Sequence, residues 1–135
     1  MPGRDRRRRR YGRNAYRPTY AAEVIYKLLP TVEWDDARAA GHLAGSAVDR
    51  QDGFIHLSAA DQVVETARRH FAGMTGLTLL TVQEQRLGDA LRWEPSRGGQ
   101  LFPHLYGPLP VTAVVAARVL TVDVPVADAV AALLS

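Results

Sequence analysis

The chain contains no cysteine. That absence removes disulfides, thiolate metal sites and thiol nucleophiles together, so any chemistry must come from oxygen, nitrogen and aromatic groups. Long apolar runs are missing as well. The most apolar segment, 111–134, is broken by Arg118, Asp123, Pro125 and Asp128 and cannot span a bilayer. The arginines near the start precede no apolar stretch of the kind an export signal needs. Neither a nucleophile elbow around Ser58 nor the glycine spacing of a dinucleotide fingerprint or P-loop occurs. A cytoplasmic protein without membrane contact is the expectation.

What is present divides into two pieces. Residues 1–20 hold eight Arg against the single Asp5, whereas the rest of the chain holds nine basic and 13 acidic side chains. The formal charge of +3 and the pI of 9.7 therefore belong to the leader, and the body is mildly acidic. The run Arg6 to Arg10 can hold a polyanion weakly through counterion release. The body lacks the basic stripe with interleaved aromatics that a nucleic-acid interface requires. Residues 1–21 are expected to form a disordered leader, and residues 22–135 one domain. At 135 residues, 47% of them hydrophobic, the chain can bury roughly two-thirds of its unfolded surface.

Local patterning predicts short strands mixed with two or three helices. Val24 to Leu29 is a β-prone run stopped by Pro30. Thr31 stands as an N-cap for a helix over 32–40, ended by Gly41. Residues 41–53, with three glycines and two aspartates, read as a turn-rich connection. A second strand over 54–57 is followed by Ser58, which with Asp61 forms a capping-box-like start to a helix reaching Gly73. Further strands are expected over 77–82 and 91–94, a Gly-rich loop over 96–103, a turn and strand over 111–122, and a terminal helix over 126–134. No regular βαβ alternation occurs, so the class is α+β.

Chemistry-bearing side chains concentrate in three segments: Asp52 to Ser58, Arg92-Trp93-Glu94, and Phe102 to Pro108. His56 lies between Ile55 and Leu57, so on a strand it shares a face with Phe54 instead. His104 and Tyr106 sit in a loop-like frame whose prolines and glycine restrict the backbone. Glu94, next to Trp93, can act as an acid or base or can hold ribose hydroxyls. Arg97 on its glycine-rich loop can clamp phosphate. Each has an ordinary alternative: a satisfied core histidine, a capping serine, a surface ion pair. His42 and His70 are assigned structural roles. The spacing of His56, His104 and Glu94 matches no compact ligand motif, and no metal is expected. The candidate site is therefore His56, Glu94 and His104 as catalytic residues, with Phe54, Ser58, Trp93, Arg97 and Tyr106 as ligand-binding residues.

Residues 24–122 resemble a family of small bacterial proteins known only as DUF952. The resemblance runs through Ile25-Tyr26-Lys27-Leu28, Trp34, Gly45-Ser46, Asp52-Gly53-Phe54-Ile55-His56-Leu57-Ser58, Gln62, Arg92-Trp93-Glu94, Gly99 and Phe102-Pro103-His104-Leu105-Tyr106-Gly107-Pro108-Leu109. That family has been grouped with the ADP-ribosyltransferase fold, two packed β-sheets with helices around an NAD-binding cleft. The resemblance implies that fold, NAD as the cofactor, and His56 as a histidine of the NAD-binding motifs. Many such transferases begin with a Tyr-His-Gly-Thr segment, where this chain has Tyr26-Lys27-Leu28-Leu29. Three alternatives stay open at this stage: an NAD- or nucleotide-binding protein with transferase-like activity, a small-molecule enzyme using His56 and His104 as an acid–base pair, and a non-catalytic binding module.

Overall fold

The computed structural model describes residues 23–135, and the expected leader lies outside the described residues. The first strand, β1 (Val24–Pro30), turns directly into helix α1 (Thr31–Ala40). Pro30 occupies the N-cap position, and the Thr31 hydroxyl instead meets that of Thr78 at 2.7 Å. The expected capping role of Thr31 is thus replaced by a hydroxyl pair that ties the start of α1 to Thr78 of the strand following α3. The segment read as a plain connection contains a short strand, β2 (His42–Leu43), and a helix, α2 (Ala47–Asp52). Strand β3 (Ile55–His56) follows, then helix α3 (Val63–His70).

Next come β4 (Leu77–Gln83), a 3₁₀ segment over Glu84–Ala90, and β5 (Leu91–Pro95). A 3₁₀ turn over Arg97–Gly99 leads into β6 (Leu101–Leu105), which was expected to be loop. The chain ends with β7 (Leu109–Pro110), β8 (Val114–Val119) and helix α4 (Val126–Leu134).

The strands form three small antiparallel sheets, ordered β1-β4-β8, β2-β7 and β3-β6-β5. The class is α+β; among the described residues there are three sheets where the resemblance implied two, and four α-helices where the pattern predicted two or three. The β1-β4-β8 sheet has a core on each face, as the two-residue alternation of a strand demands. Ile25, Leu80 and Val82 join Trp34, Ile55, Leu105 and Leu109 on one side. Leu28, Leu77 and Leu79 join Val63 and Ala67 of α3 and Val126 and Val130 of α4 on the other. Ile55 and Leu105 lie opposite each other across β3 and β6 and are almost fully buried. Burial of each contributes roughly 1.5–3 kcal/mol and pins the β3-β6-β5 sheet to the first core by one face. The other face of those strands is left to the candidate site.

Candidate functional site

Strand register decides which side chains meet. His56 pairs with His104, Arg92 also pairs with His104, and Glu94 pairs with Phe102. Phe54, His56, Arg92, Glu94, Phe102, His104 and Tyr106 consequently occupy one face of the β3-β6-β5 sheet, opposite the core. Trp93 does not. As the strand neighbour of Glu94 it points the other way, packs against the first core and donates its indole N–H to Glu84 Oε2 at 2.9 Å. The expected carboxylate–indole contact is therefore absent at Glu94.

At the centre of the face, the Phe54 ring stacks on His104 with centroids 4.0 Å apart and lies 4.6 Å from His56 and 5.3 Å from Tyr106. The two imidazoles are 5.8 Å apart in an edge-on arrangement. Each is oriented by a carboxylate. His104 Nδ1 donates to Glu94 Oε1 at 2.8 Å, and the Tyr106 hydroxyl donates to the same oxygen at 2.8 Å. His56 Nδ1 donates to Asp49 Oδ1 at 2.6 Å, while its Nε2 stands 2.9 Å from Asp52 Oδ2.

Asp49, Asp52 and Lys27 were not among the sequence candidates. Asp49 is buried and accepts from Lys27 Nζ at 3.0 Å, from the backbone N–H of Ser46 at 2.9 Å and from that of His56 at 3.2 Å, besides the His56 ring. Ser46 and Asp49 form a reciprocal capping box at the start of α2. Gly45 makes this possible, because a Cβ there would sit 2.8 Å from Asp49 Cβ and its φ of +104° suits glycine. Lys27, the chain's one lysine, is carried inward by β1 and also donates to the His56 carbonyl at 2.9 Å. A sequence signal existed in Ser46-x-x-Asp49, the same cap pattern that was assigned to Ser58 and Asp61.

Ser58 is not a helix cap. Its backbone pairs with Tyr26, its hydroxyl lies 3.1 Å from that of Thr66, and α3 begins only at Val63 after Gln62. The expected helix start beside His56 is displaced by several residues. Gln62 holds the intervening turn through bonds to Ala59 N–H and the Leu101 carbonyl. Arg97 closes one end of the face: its guanidinium lies 4.8 Å over the Phe102 ring of β6, and one nitrogen donates to Thr66 of α3 at 3.4 Å. Arg92 lies 5.1 Å over Tyr106. His42 is exposed on β2 and His70 closes α3, both away from this face in sequence and element. No group of three or more His, Asp or Glu side chains placed to hold a metal ion occurs among the described residues.

The electrostatics follow from these contacts. Burial pushes the His104 imidazole below its ordinary value of 6.5, against the opposing pull of Glu94 and the nearby charge of Asp52. His104 is therefore neutral near pH 7, with Nδ1–H on Glu94 and Nε2 left as an acceptor. Burial and the Glu94 bond push the Tyr106 hydroxyl up to about 12. Burial alone would raise Asp49, but the His56 bond, the Lys27 charge and the Ser46 N–H outweigh it and hold the carboxyl well below the usual range. Glu94 raises both His104 and Tyr106, so Glu94→Gln should lower both. NMR titration of the His104 ring and the Tyr106 ring carbon in the two proteins checks this. Movement of only one would mean the shared contact is not made in solution.

The fold and the site define an α+β domain with a histidine–carboxylate–aromatic face. By sequence the chain belongs to the DUF952 family: the model described as "Protein of unknown function (DUF952)" matches residues 28–117. The crystal structure of protein CC0527 from Caulobacter crescentus is similar, with 51% identity over 80% of this chain and 98% of that one, at a TM-score of 0.74. A solution NMR structure of CC0527 aligns with 50% identity over 76% and 90% of the two chains, at a TM-score of 0.68. Comparison with curated proteins finds no match. No helix among the described residues is long and apolar enough to cross a membrane.

Proposed function

We propose that the face of the β3-β6-β5 sheet opposite the core binds NAD or a related nucleotide and acts on it as an ADP-ribosyltransferase-like enzyme. The observation that carries the reading is the shared Glu94 oxygen, held at 2.8 Å by both His104 and Tyr106 beside the stacked Phe54 ring. A fixed carboxylate flanked by flat rings suits a ribose whose attached base is leaving. As the bond from ribose carbon to nicotinamide nitrogen breaks, its electrons leave with the nicotinamide, and Glu94 stabilises the positive charge left on the sugar. The acceptor then bonds to that carbon and gives its proton to Nε2 of the neutral His104. His56 hydrogen-bonds the sugar, Phe54 and Tyr106 supply stacking surface, and Arg97 meets phosphate. Ser58 supports Thr66, which Arg97 contacts, and Trp93 fixes β5 from beneath.

A second reading is favoured by Lys27. It stands where many transferases carry the histidine of their first motif, yet its ammonium is buried against Asp49. In that reading His56 and His104 are an acid–base pair for a small carbonyl compound, and no nucleotide is needed. Thermal-shift measurements with NAD, ADP-ribose, nicotinamide and small acyl compounds separate the two. Ligand at 100 times its dissociation constant adds about 2.7 kcal/mol, a shift of several degrees for a domain of this size. A shift with NAD and ADP-ribose supports the first reading. A shift with acyl compounds alone supports the second, and no shift with any nucleotide rules out the first.

A further inference from the structure

Charge is distributed unevenly across the candidate face. On the β3 side, Asp52 Oδ2 stands 2.9 Å from His56 Nε2, the nitrogen that Asp49 leaves available. The guanidinium groups lie at the two ends of the face: Arg92 over Tyr106 at one, and Arg97, from the turn between β5 and β6, over Phe102 and against Thr66 of α3 at the other. Glu94, on β5, turns its oxygen inward to His104 and Tyr106. The other cation near His56, Lys27, is buried and committed to Asp49 and the His56 carbonyl. Asp52 is also poorly placed for helix stability. It is the last residue of α2, where the helix carbonyls disfavour negative charge. Its side chain is 43% exposed, so it can swing away from His56 without breaking the core.

A histidine N–H facing open solvent is an ordinary phosphate ligand, and here a carboxylate already stands at that place. Any anion reaching His56 must displace Asp52 and then remain beside its charge. Like charges held at such distances repel strongly enough to redirect a ligand. We propose that Asp52 is a specificity-determining residue that keeps phosphates and other anions off His56. The ligand then lies along the face, with its anionic end at Arg97 and an uncharged, hydroxyl-bearing end at His56. This orientation rests on the nucleotide reading for the identity of the ligand, but the exclusion itself does not.

The test is an NMR titration of side-chain ¹⁵N signals with inorganic phosphate, in the wild type, Asp52→Asn and Asp52→Ala. In the wild type, phosphate should move the arginine signals and leave the His56 ring unmoved. In both variants the His56 ring should respond, with an apparent affinity about tenfold above the wild type. Backbone spectra of each variant verify the fold, and the two substitutions differ in shape, so local repacking and loss of charge can be told apart. Equal response of His56 in all three proteins, or response in none, overturns the proposal. A protein that shows the phosphate effect yet gives no thermal shift with NAD would retain the exclusion and lose the nucleotide reading instead.

Discussion

Asp49→Ala should lower the unfolding free energy by about 3–5 kcal/mol, the range seen when one partner of a buried ion pair is removed. Urea denaturation measures it. Asp49 is 2% exposed and takes four donors. Alanine leaves Lys27 charged inside the domain with only the His56 carbonyl, removes one of the two bonds of the α2 capping box, and leaves the His56 ring held by Asp52 alone. The double variant Lys27→Met with Asp49→Asn removes both charges while keeping an acceptor for the Ser46 N–H, and should recover a substantial part of the loss. Equal instability of the single and double variants would mean that the unpaired ammonium is not the main cost. The acid limb carries the same signature. The folded Asp49 carboxyl lies below its ordinary value of 3.8, so its stabilisation is complete above that value and is lost as pH falls further. Asp49→Ala should flatten the stability curve in that acid range.

This buried knot explains what the sequence could and could not disclose. Elements held by local pattern were legible: β1 from its β-branched and aromatic run, β4 from continuous apolar residues, and α4 from spacing along 126–134. The knot depends on Lys27 and Asp49, 22 residues apart, brought together only when β1 packs over α2. Composition hid α2 as well, since glycines at 41, 45 and 53 and two aspartates suggest a turn. Two similar cap patterns were available, at Ser46 and Ser58, and tertiary packing selected the first while binding Ser58 to Tyr26. Pro103 and Pro108 suggested a loop around His104. Yet Pro103 sits inside β6, where its carbonyl still accepts from Leu57 and its missing N–H does not prevent pairing with β5.

The candidate face was more legible than the elements beneath it. Phe54, His56, Glu94, His104 and Tyr106 come from three separate segments and meet because strand alternation puts them on one side of one sheet. Adjacency in sequence misled at Trp93, which the same alternation sends to the core, and at Ser58, whose backbone pairs with Tyr26 and does not start a helix. The partners that orient the rings are half visible: Glu94 stands out by its own chemistry and Asp52 opens the segment that holds His56, whereas Asp49 shows only as the end of a cap spacing. A polar side chain that acts through another leaves a weaker trace than one framed by apolar neighbours.

Glu94→Gln tests the chemistry most directly, because it removes a charge and almost no volume. If the proposed turnover is made, kcat should fall by about 10²–10⁴-fold, the scale of losing one positioned charged or proton-transferring group, while ligand affinity changes little. The side chain is about one-third exposed at the edge of the sheet, so the melting curve should stay nearly unchanged. The pH profile adds a readout that a structural role would not move. Glu94 raises His104, so the amide should shift the acid limb of the residual activity to lower pH. His56→Ala should also lose turnover, but with some loss of stability, since it takes two donors from the Asp49 knot only in part: the backbone N–H remains and the ring bond goes. A Glu94→Gln protein that melts far below the wild type, with activity falling in proportion to the folded fraction, would place Glu94 among the residues that hold β5 to β6. A protein that melts normally and has lost the chemistry would place its charge at the reacting sugar.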